Sequence, residues 1–268
     1  MPISSPASAA PFAPAPAKPF APNHPWERNF YLAIIALAWV GILRGFGGDV
    51  ANHLASHEAP YPIIVHVHAV VFVAWLALFT VQILLIRTKR LAVHKKLGYG
   101  LAWMAGLMVV LGPVTALTVH HLKLVNHLMT PAPVDQPQFL SIQFTDMLAF
   151  ASLTATGLFF RKTPSAHKRL ILLGTLYITD AGFARWLAPG FMHALGHTYW
   201  PFWFSLYFGP NLLVVLTGAY DLATRRRLHP AYLAGVIWVF AIQMLSVSLF
   251  FSPGWAATTQ RIATTWPW

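Results

Sequence analysis

Seven apolar runs, near residues 29–47, 61–86, 97–121, 139–160, 168–189, 201–220 and 231–251, restrict this chain more than anything else in it. At 1.5 Å per helical residue, a run of about twenty crosses roughly 30 Å, the thickness of a bilayer's hydrocarbon core. Inside lipid every backbone N–H and C=O needs an internal partner, so the runs predict helices. The expected fold class is all-α: a bundle of seven transmembrane helices over residues 29–251. Composition agrees, with 57% of residues hydrophobic and 9% charged, too apolar for an ordinary soluble domain. Residues 1–28 read as a disordered, Pro- and Ala-rich cytoplasmic arm, because proline blocks helix propagation and little there can be buried. The arm has neither the basic start nor the apolar stretch of a signal peptide. Residues 252–268 read as an outer C-terminal tail.

The net charge of +11 is not spread evenly. The connections IRTKRLAVHKK, FRKTPSAHKR and TRRRLH hold twelve of the eighteen Lys and Arg. In a seven-span chain all three fall on one side, which the positive-inside rule makes cytoplasmic. The N-terminus is then inside and the C-terminus outside, as for a multi-pass protein of a bacterial inner membrane. This distribution argues against a nucleic-acid partner and for a lipid bilayer whose anionic headgroups meet the basic loops. Each connection also carries one histidine, His94, His167 or His229, which hints at a repeated hairpin.

Histidines divide the other way. Nine of thirteen fall at or near the outer side, an asymmetry that the positive-inside rule does not generate. The densest stretch is Asp49–His68, DVANHLASHEAPYPIIVHVH. Asp49, His53 and His57 step by four, so on a helix they share a stripe. His66 and His68 follow where the second run opens. Two residues apart on a helix, they point about 160° from each other, so one is expected to turn inward and the other to reach solvent. His193 and His197 repeat the four-residue step in FMHALGHTYWPFWF, with Gly196 weakening the helix between them. The aromatic residues that follow read as an interfacial belt.

The chain has no cysteine, which excludes disulfides, thiolate metal sites and iron–sulfur clusters. Imidazole and carboxylate remain, ligands that copper and iron accept for redox chemistry and zinc for hydrolysis or structure. The expectation is a transition-metal site near the outer face, held by Asp49, His53, His57, His66, His68, His193 and His197. The alternative at each position is a histidine facing water at the membrane surface. Asp146 and Asp180 lie within spans, where a carboxylate costs a few kcal/mol, about 3 on insertion scales. They are expected to orient ligand histidines by accepting their second N–H, with Arg185 as an ion-pair partner and an Asp–Arg clamp as the alternative. Gly112-Pro113 and Gly209-Pro210 are expected to break the third and sixth runs, with Asn211 as a polar lining residue beside the second break.

Asp49, His53 and His66, at D-x3-H-x12-H, resemble the metal triad of the C subunit of copper membrane monooxygenases. His193, His197 and Asn211, near GHTYW, have a similar short-then-long spacing. That resemblance implies a copper-dependent oxidation of an apolar small molecule entering from the bilayer, with other membrane subunits as partners. The order of one His/Asn pair is swapped relative to that family, and two extra spans separate the clusters. A second resemblance is to transmembrane di-haem cytochromes b. His68, then Arg90 and His94 opening the third run, then His167 opening the fifth, follow their outer-then-inner rhythm. It implies haem b between His94 and His167 and an electron donor as partner. Where that family has an outer histidine on the fourth span, this chain has Asp146. The H-x-H span followed by HKKLG is similar to uncharacterised bacterial multispan proteins, a likeness that implies topology alone. A third reading is a non-enzymatic membrane subunit or transporter, with Asp146 and Asp180 on the transport path. No nucleophile motif, phosphate loop or nucleotide fingerprint is present.

Overall fold

The computed structural model describes residue 20, residues 24–56 and residues 60–267. The N-terminal arm therefore lies outside the described residues apart from Phe20 and 24–28, and His57 lies outside them altogether. The described residues form nine α-helices, in order α1 (Glu27–Ser56), α2 (Ile63–Arg87), α3 (Leu91–Val125), α4 (Leu140–Phe159), α5 (Pro164–Tyr177), α6 (Asp180–Leu195), α7 (Tyr199–Arg225), α8 (Pro230–Phe250) and α9 (Pro253–Thr265). Among the described residues there is no strand.

Five helices, α1, α2, α3, α7 and α8, are long and apolar enough to cross a membrane. The pair α5 and α6, bent by 46°, makes a sixth if taken as one span. The fourth run, α4, is 20 residues long but carries Gln143, Thr145 and Asp146 and is not among them. It is nonetheless central, packed between α3, α5 and α8. The outward faces suit lipid: Leu43, Val70, Trp103, Val110, Val215 and Ile237 are all exposed, an apolar surface that water would penalise and hydrocarbon does not.

The helices alternate in direction, so the bundle has two chemically different ends. At the basic end meet the start of α1, the turn from α2 to α3, the start of α5 and the turn from α7 to α8. At the histidine end meet the end of α1, the starts of α2 and α7, the end of α6, and α9. The segment expected to be a tail folds instead as α9, which leans on α3. His121 Nδ1 lies 2.8 Å from the Ala263 carbonyl, and Trp266 Nε1 donates to Thr118 Oγ1 at 3.2 Å.

Three expectations about helix breaks need correction. α3 runs unbroken through Pro113 and α7 through Pro210, because both helices are long enough on either side to absorb one lost N–H. Their glycines serve packing: a Cβ on Gly112 would press on the Met147 thioether, and one on Gly209 on the Phe183 ring. The real interruption is at Ile178-Thr179, between α5 and α6, where the sequence has neither Gly nor Pro. The third correction is at Gly196, whose φ of 90° ends α6 before His197, so His193 and His197 share no helical face. The aromatic stretch after it is also divided: Trp200 is exposed, whereas Phe202 and Tyr207 are core residues.

α1 crosses α6 backbone to backbone. A Cβ on Gly45 would run into the Gly182 carbonyl oxygen, and one on Gly182 would meet the Gly41 carbonyl at 2.8 Å. Gly41 and Gly45 stand four apart, the small-residue spacing that lets membrane helices approach backbone to backbone.

Candidate functional site

The basic end is built around a buried charge network. Arg169, on the first turns of α5, donates from Nε and Nη2 to both oxygens of Asp221 on α7, at 2.7 and 2.5 Å. Both residues are 1% exposed. Arg225 bridges Asp221 at 3.2 Å to Glu27 at 3.0 Å, and Lys168 reaches Glu27 at 2.6 Å. Phe20 lays its ring against the guanidinium groups of Arg169, Arg225 and Arg227. Five charged residues together satisfy what no single pair could at this depth. Beside them His229 caps α8: its Nδ1 accepts from the Ala231 N–H at 3.0 Å, and Nε2 lies 3.2 Å from Ser165 Oγ. Because Nδ1 accepts a backbone N–H, the ring is neutral with its proton on Nε2. Burial, and then the nearby Arg169 charge, push the His229 imidazole down to about 4. The sequence reading passed over Asp221; its signal was a lone acid four residues before an arginine run.

At the same end stand His94 on α3 and His167 on α5, within electrostatic reach of each other. His167 Nδ1 lies 2.7 Å from the Gly157 carbonyl oxygen. A carbonyl can only accept, so Nδ1 carries the proton and the Nε2 lone pair is left for a ligand. His94 Nδ1 is buried with no hydrogen-bond partner among the described residues, and so is Oε1 of Gln82, whose Nε2 donates to the His94 carbonyl at 3.3 Å. Gln82, a lone amide in an apolar run, is a second residue that the sequence reading did not single out.

The histidine end is arranged differently from expectation. Asp49 and His53 do lie on one helix, since α1 continues to Ser56. Asp49, however, accepts from Arg185 Nε at 2.7 Å, which makes Arg185 its partner rather than that of Asp146 or Asp180. His53 stacks on Tyr61 with ring centroids 4.0 Å apart. Asp49, His53, Asn52, Ser56 and Tyr61 line an open hollow of about 290 Å³. His66 is exposed, with Nδ1 3.3 Å from the Pro62 carbonyl; His68 turns inward and stacks on Phe72 at 4.0 Å. His193 and His197 are exposed. Among the described residues no three His, Asp or Glu side chains gather as a metal would require.

No protein-family model, no curated protein and no solved structure matches this chain.

Asn211 is not beside the histidines. Its amide exchanges two hydrogen bonds with Gln243 on α8, at 3.1 and 2.9 Å, and Trp203 Nε1 donates to the same Gln243 oxygen at 3.1 Å. Its donors and acceptor are thus committed to joining α7 to α8. In the connection between α3 and α4, Asp135 is held by Lys123 and Thr130. Burial alone would raise this carboxyl, but those two donors outweigh it and hold it below the usual carboxylate range. Asp146 and Asp180 make no hydrogen bond to a histidine among the described residues; they face each other instead.

Proposed function

We propose that this chain is a multi-pass membrane electron-transfer protein that binds a haem b at its basic end, between His94 and His167. One observation carries the reading: two imidazoles from different helices stand near enough for each to feel the other's charge. One has its Nδ1–H anchored on a carbonyl, as a ligand histidine needs, and the other has a buried nitrogen without a partner among the described residues. The residues present therefore fit an iron that takes two imidazole nitrogens. His94 and His167 would hold it, and Gln82 would fix the backbone at His94. The group would supply one-electron transfer; the chain's own contribution would be to orient the two rings.

In this reading the bundle crosses the membrane seven times, with α5 and α6 forming one bent span and α4 a polar central one. The basic end faces the cytoplasm, following the concentration of Lys and Arg there. Fluorescent-protein fusions test the orientation: an N-terminal fusion is expected to fluoresce and a C-terminal one to stay dark in a bacterial inner membrane. An optical spectrum with a haem assay on the detergent-purified protein tests the cofactor. A Soret band that H94A and H167A each abolish, and H53A leaves intact, is expected. A colourless protein from haem-replete cells overturns the reading.

The hollow at Asp49 and His53 favours a second reading, a transition-metal site at the outer face with copper or iron, completed by His57 or His66. Elemental analysis of the same sample separates the two: metal lost in H53A but kept in H94A supports the outer site, and the reverse excludes it.

A further inference from the structure

Asp146 on α4 and Asp180 at the start of α6 are 8% and 3% exposed, and their carboxyl groups interact directly. Asp180 Oδ1 accepts from the Ala181 N–H at 2.6 Å. Asp146 Oδ1 is buried with no hydrogen-bond partner among the described residues. Among those residues, neither acid forms a salt bridge; the nearest cation, Arg185, is engaged by Asp49 and by the Ala181 carbonyl. Two facing carboxyls without a counter-ion repel when both are ionised, so in a medium of low dielectric the pair retains a proton.

A separate group points into the same place. The Tyr177 hydroxyl, on a residue 1% exposed, has no hydrogen-bond partner among the described residues and lies within electrostatic reach of both acids. Tyr207, from α7, is also within reach, and its hydroxyl donates to Ser246 Oγ at 3.1 Å. The charged and titratable groups around the pair are thus Tyr177 from α5, Tyr207 from α7 and Arg185 from α6. Toward the surface, Arg185 donates to the Ala181 carbonyl, next to Asp180, and to Asp49, which lines the open hollow. Asp180 stands directly after the interruption at Ile178-Thr179, where one span divides into two helices bent by 46°.

We propose that Asp146 and Asp180 form a proton-exchange site, sharing one proton and trading it with water at the histidine end past the Asp49–Arg185 pair. The step is proton transfer alone. The O–H bond of the carboxylic acid breaks, a water oxygen takes the proton, and the carboxylate keeps the electron pair. The proposal does not rest on the haem reading, because it uses neither His94 nor His167.

Infrared spectroscopy of the full chain in lipid nanodiscs tests it. A carboxylic-acid carbonyl band is expected at neutral pH. It should shift in D₂O and disappear as the pH is raised. Carbon-13 labelling of aspartate should move it, which assigns the band even if the variants fold poorly. D146N and D180N should each remove it. D49N, a surface change, should alter the half-time of deuterium uptake several-fold. Absence of an aspartic-acid band at neutral pH overturns the site. A band that neither exchanges in D₂O nor titrates shows a locked structural proton and also overturns it. Unaltered uptake in D49N overturns the route.

Discussion

Arg169 holds both carboxylate oxygens of Asp221 across the interface of α5 and α7, in a two-pronged contact sealed from solvent. Breaking such a pair from one side leaves a bare charge in the bundle, which costs about 3–5 kcal/mol. D221N is therefore expected to lower the thermal midpoint of the detergent-solubilised protein sharply. D49N, which breaks a pair that is 36% and 50% exposed, should change it by no more than about 1 kcal/mol. Differential scanning fluorimetry of the two variants in one detergent checks both.

His229 gives the basic end a pH dependence with a definite sign. Its folded value is pushed to about 4, below the roughly 6.5 of an unfolded histidine. The unfolded chain then takes up the proton first, so stability is full above about 6.5 and falls as the pH drops toward 4. Protonation at Nδ1 would also remove the acceptor that caps α8. The difference in thermal midpoint between neutral and mildly acidic buffer should be smaller in H229Q than in the wild type. An equal difference in both would show that His229 does not titrate as described.

The crossing of α1 and α6 leaves no room for a side chain. Overpacking a tight contact costs about 1–3 kcal/mol, and here the obstacle at Gly45 is backbone rather than a flexible side chain. G45V should reduce the yield of folded monomer in size-exclusion chromatography. G47V, at a glycine with nothing near its Cβ position, should elute as the wild type does.

Asn211 and Gln243 depend on each other. N211A strands a Gln243 amide that is fully buried, and an unmet buried polar group costs about 1–3 kcal/mol. Q243A, which takes the acceptor from Trp203 as well as from Asn211, should cost more than N211A alone. A double-mutant cycle on thermal stability measures the coupling.

Long apolar runs, alternating directions and the gathering of Lys and Arg at one end were all legible in the residues, because hydrophobicity and charge act locally along a chain. The stripe of Asp49 and His53 was legible for the same reason: α1 continues past its apolar stretch. What those side chains bind was not legible. Asp49 finds Arg185, 136 positions away, and Asn211 finds Gln243, 32 positions away, through packing that no spacing encodes. The span break was misplaced because Pro113 and Pro210 announce themselves, whereas Ile178-Thr179 does not. There the local sequence is compatible with helix, and the break arises from tertiary packing. Asp146 and Asp180 were recognised as costly from their depth alone, but that they face each other depends on that unannounced break.

The interruption at Ile178-Thr179 also divides one span between two sets of neighbours. α5 is fastened to α4 and α8 and, through Arg169, to α7, while α6 is packed on α7 and, at Gly182, pressed against α1. A tilt of α1 in the bilayer would therefore drag Asp180 relative to Asp146 while leaving the arginine anchor where it is. Membrane thickness or tension would become a lever on the distance between two acids, and the joint needs no proline to work.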